Sequence, residues 1–334
     1  MAPAPTSAPV ATLPYTVKVF AQVPQGISQP DSIVLWNDRV IVGFANRVAK
    51  DGTDGKSSTI VQYSLDGTVQ RTFQVPGHND GLRVVGEASL WSLQNEDANP
   101  NLVVIDLESG SQQTFAFAPT VHGGGFDHMV VVDGQVLMTA SNPNLDAAGQ
   151  NNFPALVRAT LSGNMVDVEP LLLGNAGATD IASGATVPLN LTDPDSLSVD
   201  PRGNVVLDSQ ADAELIFIRH PLGASPQVGR VSITTAAGPT TVDDTAFAPD
   251  VRSFMLVTDL AGDAIYRIES LPFGFEPGTA YSASDTAGLL GTLNLDSGVL
   301  TPVITGFASA RGILFVPLGD GTHGETERTR GERK

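Results

Sequence analysis

The chain has no cysteine, which excludes disulfides, thiolate metal sites and cysteine nucleophiles. Basic residues are scarce: 18 Lys and Arg stand against 36 Asp and Glu, for a formal charge of −18. Gripping phosphate needs clustered cations, so nucleic acid and anionic membrane surfaces are excluded as partners. A cation, or a neutral or cationic small molecule, suits this balance better. No apolar run approaches the length of a membrane-spanning helix. No phosphate loop, dinucleotide fingerprint or Gly-x-Ser-x-Gly elbow occurs. Sustained helical periodicity is missing too.

What remains is turn-rich and repetitive. With 34 Gly and 23 Pro among 334 residues, the composition is that of a globular β protein, neither disordered nor fibrous. One motif recurs: an aspartate two residues ahead of an apolar position, then a short apolar run ending at a turn. It stands at Pro30-Asp31-Ser32-Ile33, Asn79-Asp80-Gly81-Leu82, Phe126-Asp127-His128-Met129 and Pro194-Asp195-Ser196-Leu197. Looser copies stand at Val242-Asp243-Asp244-Thr245-Ala246 and at Ala310-Arg311-Gly312-Ile313, where arginine replaces the acid. The intervals are 49, 47, 68, 48 and 68 residues. A period near 48 marks a repeat architecture.

Each unit carries short runs with strand character separated by turn signals. The first reads Ser32–Trp36, Val40–Phe44, Thr59–Leu65 and Val69–Val75. The fifth opens with Thr245–Ala248, Phe254–Thr258 and Ala264–Ile268. Four antiparallel strands per unit, repeated radially, describe an all-β fold, a β-propeller of six blades. The sixth unit has an inner strand, Gly312–Val316, and little after it. Tyr15–Val23 and the spare β material at Thr279–Ser282, Leu289–Leu295 and Val299–Thr305 are then available. The expected closure joins N- and C-terminal strands, with part of Thr279–Thr305 in the last blade. A single propeller domain is expected over residues 15–317, between a flexible Ala/Pro-rich segment, 1–14, and a disordered polar tail, 318–334. The opening Ala/Pro stretch reads as what remains after a signal is removed, giving an expected periplasmic or secreted location. The loops Asn142–Phe153 and Asn175–Thr192 are expected to project from one end of the ring.

Pro194-Asp195-Ser196-Leu197-Ser198-Val199-Asp200-Pro201-Arg202-Gly203-Asn204 resembles the inner-strand motif of the six-bladed NHL and gluconolactonase/regucalcin-like propellers. The stretch Asp243 to Asp259 is similar to a second segment of those proteins. The resemblance implies a metal site, with Asp243 where the family places a metal-ligating Asn, and lactone hydrolysis. Gln29-Pro30-Asp31 departs from it, because the family's enzymes carry a metal-ligating Glu in that region. Paraoxonase-like lactonases are more distant relatives by this reading.

Equivalent positions on inner strands form a ring at one end of a propeller. Asp31, Asp80, Asp127, Asp195, Asp243 and Arg311 are therefore expected at one mouth. Crowded carboxylates repel, and protonation or a cation must relieve them. Asp31, Asp80, Asp195 and Asp243 are the candidate ligands of a divalent cation, calcium being the expected one. The other reading of each Asp is a strand cap that accepts backbone N–H groups. His78, His122 and His128, with Asp127, are the candidate catalytic groups, either as a histidine pair for general-base work or as ligands of a transition metal with the nearby Asp. The bland reading makes each His a channel-filling residue bonded to a carbonyl. Second strands return to the same mouth, so Asn142, Asp208 and Asp259, with Arg311, are candidate substrate contacts. The function these point to is a metal-dependent hydrolase of the lactonase or esterase type acting on a small molecule at the channel mouth. The alternatives are a non-catalytic propeller binding a small molecule or partner protein, and a lyase on the same ring.

Overall fold

The structure, a computed structural model, describes residues 8–318. Six four-stranded antiparallel blades surround a central channel. Blade 1 comprises Pro30–Trp36, Arg39–Phe44, Ser57–Ser64 and Val69–Pro76, from the channel outward. Blade 2 comprises Asn79–Val85, Ser89–Gln94, Asn101–Asp106 and Gln112–Phe117, and blade 3 Phe126–Val132, Gln135–Ala140, Pro154–Ser162 and Met165–Leu173. Blade 4 is Pro194–Val199, Val205–Ser209, Glu214–Arg219 and Gln227–Ser232.

The last two blades depart from simple succession. Asp244–Phe247 is the inner strand of blade 5 and pairs with Ala280–Ser284, followed outward by Leu289–Leu293 and Leu300–Thr305. The intervening strands Ser253–Asp259 and Ala264–Ser270 cross into blade 6. There the inner strand is Ala310–Pro317 and the outermost is the N-terminal Tyr15–Gln22. Joining of the two ends closes the ring, as expected. The assignment of Phe254–Thr258 and Ala264–Ile268 to the fifth blade, and of Thr279–Thr305 material to the last, is corrected: the two sets exchange places. A strand from each end locks blade 6, and Val10–Ala11 adds a short edge to blade 5 by pairing with Thr305 and Ile304. Most of the expected flexible head, 1–7, and disordered tail, 319–334, lies outside the described residues.

The hydrophobic periodicity explains the assembly. A four-stranded sheet has two apolar faces and stays soluble only by stacking both. The buried apolar residues fall into six clusters, each shared by two successive blades. Blades 1 and 2 share Val34, Ile41, Ile60, Leu82, Leu90 and Val103. Blades 6 and 1 share Phe20, Val42, Tyr63, Phe254, Leu256 and Val316. The segment Asn175–Thr192, expected as a loop, holds a hairpin: Gly177–Asp180 pairs with Thr186–Pro188 and lies parallel to the outer strand of blade 4. Asn151 Nδ2 donates to the Leu191 carbonyl at 2.7 Å, and the Asn190 side chain accepts the Asn151 N–H at 2.9 Å. These bonds lace the two long connections together.

Candidate functional site at the channel mouth

The recurring motif is a β-bulge. In five inner strands, three residue steps oppose two on the neighbouring strand: Pro30 to Ile33, Asn79 to Leu82, Phe126 to Met129, Pro194 to Leu197 and Ala310 to Ile313. A bulge inserts one residue and re-aims its side chain. The acid and the residue after it thereby take different tasks.

The residue after the acid reaches the next blade. Ser32 Oγ accepts the Leu82 N–H at 2.9 Å, His128 Nδ1 accepts the Leu197 N–H at 3.1 Å and Asp244 Oδ2 accepts the Ile313 N–H at 2.7 Å. Ser196 Oγ donates to the Asp243 carbonyl. Where this position is glycine, backbone fills the space: a Cβ on Gly81 would lie 2.1 Å from the Asp127 carbonyl oxygen, and one on Gly312 2.6 Å from that of Asp31. All six interblade seams are clasped at this level.

The acids themselves turn to the channel. Asp31, Asp80, Asp127, Asp195, Asp243 and Arg311 line one cavity of about 550 Å³, so the convergence expected from the repeat is present. Burial first, then the charges of Asp127 and Glu96, pushes Asp80 well above the usual carboxylate range. Burial likewise pushes up Asp127, with Asp195 and Glu96 adding to it, and Asp195, with Asp243 adding. Asp243 is also pushed well up by burial, although the Arg311 guanidinium opposes this. Asp31 is raised by burial against the pull of Arg311.

Two cations serve this ring. Arg311 pairs with Asp243 and, at 3.4 Å, with Asp285. Lys50, from the connection between the second and third strands of blade 1, pairs with Glu96. Burial works against the charge on both Lys50 and Glu96. The adjacent Asp80 carboxyl and the Lys50 ammonium, with Asp127, nevertheless hold Glu96 low, and Glu96, Asp80 and Asp127 hold Lys50 protonated.

The histidines divide. His78 Nδ1 lies 2.8 Å from the Val48 carbonyl; a carbonyl only accepts, so Nδ1 carries the proton and Nε2 has a free lone pair. One ligand atom from each of His78, Asp80 and Glu96 can be chosen so that all lie within 4.8 Å of one another. His122 Nε2 donates to the Gly125 carbonyl at 2.7 Å and its ring meets Phe126 edge-on, 5.4 Å between centroids. His128 is spent on the Leu197 N–H, and burial with the nearby Arg83 charge pushes its pKa down to about 3.

The second-strand candidates have structural partners. Asn142 Nδ2 donates to the Asp97 carbonyl at 3.2 Å. Asp208, buried behind the ring, is hydrogen-bonded to Ser196 Oγ at 3.0 Å and to Thr245 Oγ1 at 3.2 Å. Asp259 accepts the N–H groups of Gly262, Ala308 and Ser309 at 3.1, 3.0 and 2.7 Å, the strand-capping role. None of these three lines the cavity.

Glu96 and Lys50 are absent from the residues the sequence singled out. The second strand of blade 2 ends at Gln94, and Glu96 lies beyond the turn that follows it. Asn95 adopts φ of 64° and its Oδ1 accepts the His78 N–H at 2.9 Å, so the chain turns there. The recurrence of Asn with positive φ after the second strand, at Asn46, Asn95 and Asn142, is the signal available in the sequence.

The fold defines a six-bladed β-propeller. No family model and no curated protein matches the chain. Among solved structures it is similar to virginiamycin B lyase from Staphylococcus aureus, at 11% identity over 92% of this chain and 89% of that one, with a TM-score of 0.51. A putative gluconolactonase aligns at 11% identity over 89% and 83% with a TM-score of 0.49. A luciferin-regenerating enzyme aligns at 12% over 77% and 82% with a TM-score of 0.42. These likenesses concern the fold.

Proposed function

We propose that the chain is a cation-dependent hydrolase of small lactones or esters, acting at the acidic mouth. One observation carries this reading. One ligand atom from each of His78, Asp80 and Glu96 lies within 4.8 Å of the others, while the buried Asp80 Oδ2 has no hydrogen-bond partner among the described residues. A buried carboxylate oxygen without a partner is costly, and a cation or a shared proton removes the cost. One imidazole and two carboxylates form a mixed donor set, which suits zinc or manganese better than the all-oxygen shell of the calcium expected from the aspartates alone.

When bound, such a cation polarises a carbonyl oxygen and lowers the pKa of coordinated water. The protein's own residues would do the rest. Asp127, kept protonated by burial and its acidic neighbours, holds a proton at its carboxyl oxygen for the leaving alkoxide. Arg311, neutralising Asp243, keeps the far side of the ring from repelling the substrate. His78 is oriented by the Val48 carbonyl, which fixes the tautomer as the partner of a ligating imidazole does.

A second reading is supported by Lys50. Its ammonium already neutralises Glu96, which favours a propeller that binds a small molecule at this mouth without turnover. A propeller hosts lyases as well as hydrolases. Metal analysis of the purified protein, followed by a lactone and ester panel with and without chelator, separates these readings. Chelator-sensitive hydrolysis supports the first; saturable binding without turnover supports the second.

A further inference from the structure

Below the acidic ring the channel changes character. The position four residues after each ring residue is apolar in every blade: Leu35, Val84, Val131, Val199, Phe247 and Phe315, all lining the cavity. One row above these lies Arg83, whose counterparts are Val34, Val130, Ser198, Ala246 and Leu314. Its Nε donates to the Met129 carbonyl of the next blade at 2.9 Å, which fixes the guanidinium plane. Its two terminal nitrogens have no hydrogen-bond or ion-pair partner among the described residues, and the side chain lines the cavity.

No nearby group forms an ion pair with that charge. Asp244, the acid whose charge Arg83 feels, accepts the Ile313 N–H at 2.7 Å and forms no ion pair with Arg83. His128 accepts the Leu197 N–H and is neutral. Ser198 offers only a hydroxyl. A desolvated, oriented guanidinium with both outer N–H forks free matches a planar carboxylate.

We propose that the waist of the channel is a carboxylate site, with Arg83 binding the headgroup through its two outer nitrogens and the apolar row holding an aliphatic arm. The ligand class is a small aliphatic monocarboxylate, and a cavity of about 550 Å³ is of ligand-site size. The site rests on the cavity and Arg83, not on the cation group; the acid released by the hydrolysis proposed above belongs to the same class.

Calorimetric titration of hexanoate into the chelator-treated protein tests this, with hexanamide as the uncharged control. Saturable hexanoate binding is expected, with hexanamide at least ten-fold weaker. Arg83→Met should lower hexanoate affinity about ten- to hundred-fold, Arg83→Lys should lower it less, and Asp244→Asn, which keeps an acceptor for Ile313, should raise it. Equal binding of hexanoate by wild type and Arg83→Met, no preference over hexanamide, or no binding to the wild type overturns the proposal. Should Arg83→Met fail to fold, the Arg83→Lys and Asp244→Asn pair decides it by the opposite directions of their effects. Because chelator is present throughout, failure here leaves the hydrolase reading standing, and failure of that reading leaves this one.

Discussion

Lys50 of blade 1 is ion-paired with Glu96 of blade 2 across the rim of the channel. The ammonium stands beside the group that His78, Asp80 and Glu96 form, so it competes with any cation bound there. Lys50→Met removes the competitor. It should tighten manganese or zinc binding by about ten-fold or more, since two unit charges 4 Å apart interact by about 4 kcal/mol at an effective dielectric near 20. The same change should lower the melting temperature of the metal-free protein, because the buried Glu96 carboxylate then has no counter-charge. Titration calorimetry and a thermal melt in chelator check both effects.

The ring makes stability depend on pH in a definite direction. Asp80, Asp127, Asp195 and Asp243 are all raised above the ordinary 3.8 by burial, and Asp244 is pushed up to about 6. A raised carboxyl contributes stability that is full below its unfolded pKa and lost as pH rises through the folded value. His128, pushed down from 6.5 to about 3, acts oppositely: its contribution is full above 6.5 and lost as pH falls. The acids outnumber the histidine, so the melting temperature in chelator should fall between pH 5 and pH 8. Asp127→Asn should flatten that slope and raise stability at pH 8. A melting temperature that climbs across this range would contradict the placement of the acids.

His128 makes a seam and not a base. His128→Ala leaves the buried Leu197 N–H without an acceptor and opens a void. It should cost about 2–4 kcal/mol in urea unfolding while leaving cation affinity within about two-fold. Loss of cation binding at unchanged stability would return His128 to the catalytic set.

Gly81 occupies the same clasp position in blade 2. Its φ is ordinary, so Gly81→Ala acts through space alone: the new Cβ would sit 2.1 Å from the Asp127 carbonyl oxygen. Parting two blades at this seam should cost about 1–3 kcal/mol and displace Asp127 from the ring. Chemical denaturation gives the first effect, and the pH slope of the melting temperature gives the second.

Four of the six ring positions were legible because their bulges repeat in sequence as Asp-x-apolar, and the period near 48 extended the pattern to the looser copies at Asp243 and Arg311. The exchange between blades 5 and 6 was not. Asp244–Phe247 and Ser253–Asp259 are joined by a short connection, and such neighbours usually pair. Ser253–Asp259 is buried throughout, so its pattern shows no preference for either partner. At the mouth, Asp80 and His78 were marked by the repeat. Glu96 was not, because it lies beyond the turn at Asn95, outside the alternating strand pattern that made the other acids readable. Lys50 sits in a connection with no motif, and only the fold carries it to Glu96. Asp259 and Asp208 shared the ring's residue type but are consumed by backbone N–H groups and hydroxyls, a distinction that depends on three-dimensional neighbours.

The central claim is that His78, Asp80 and Glu96 hold a divalent cation that the protein uses. Its most direct test is calorimetric titration of manganese, zinc and calcium into chelator-treated wild type, Asp80→Asn and Glu96→Gln, followed by ester and lactone hydrolysis assays on the same samples. The account predicts one high-affinity site per chain in the wild type, at least ten-fold weaker binding in each variant, and hydrolysis that follows occupancy. No cation binding by the wild type, or binding that both variants retain in full, would contradict it.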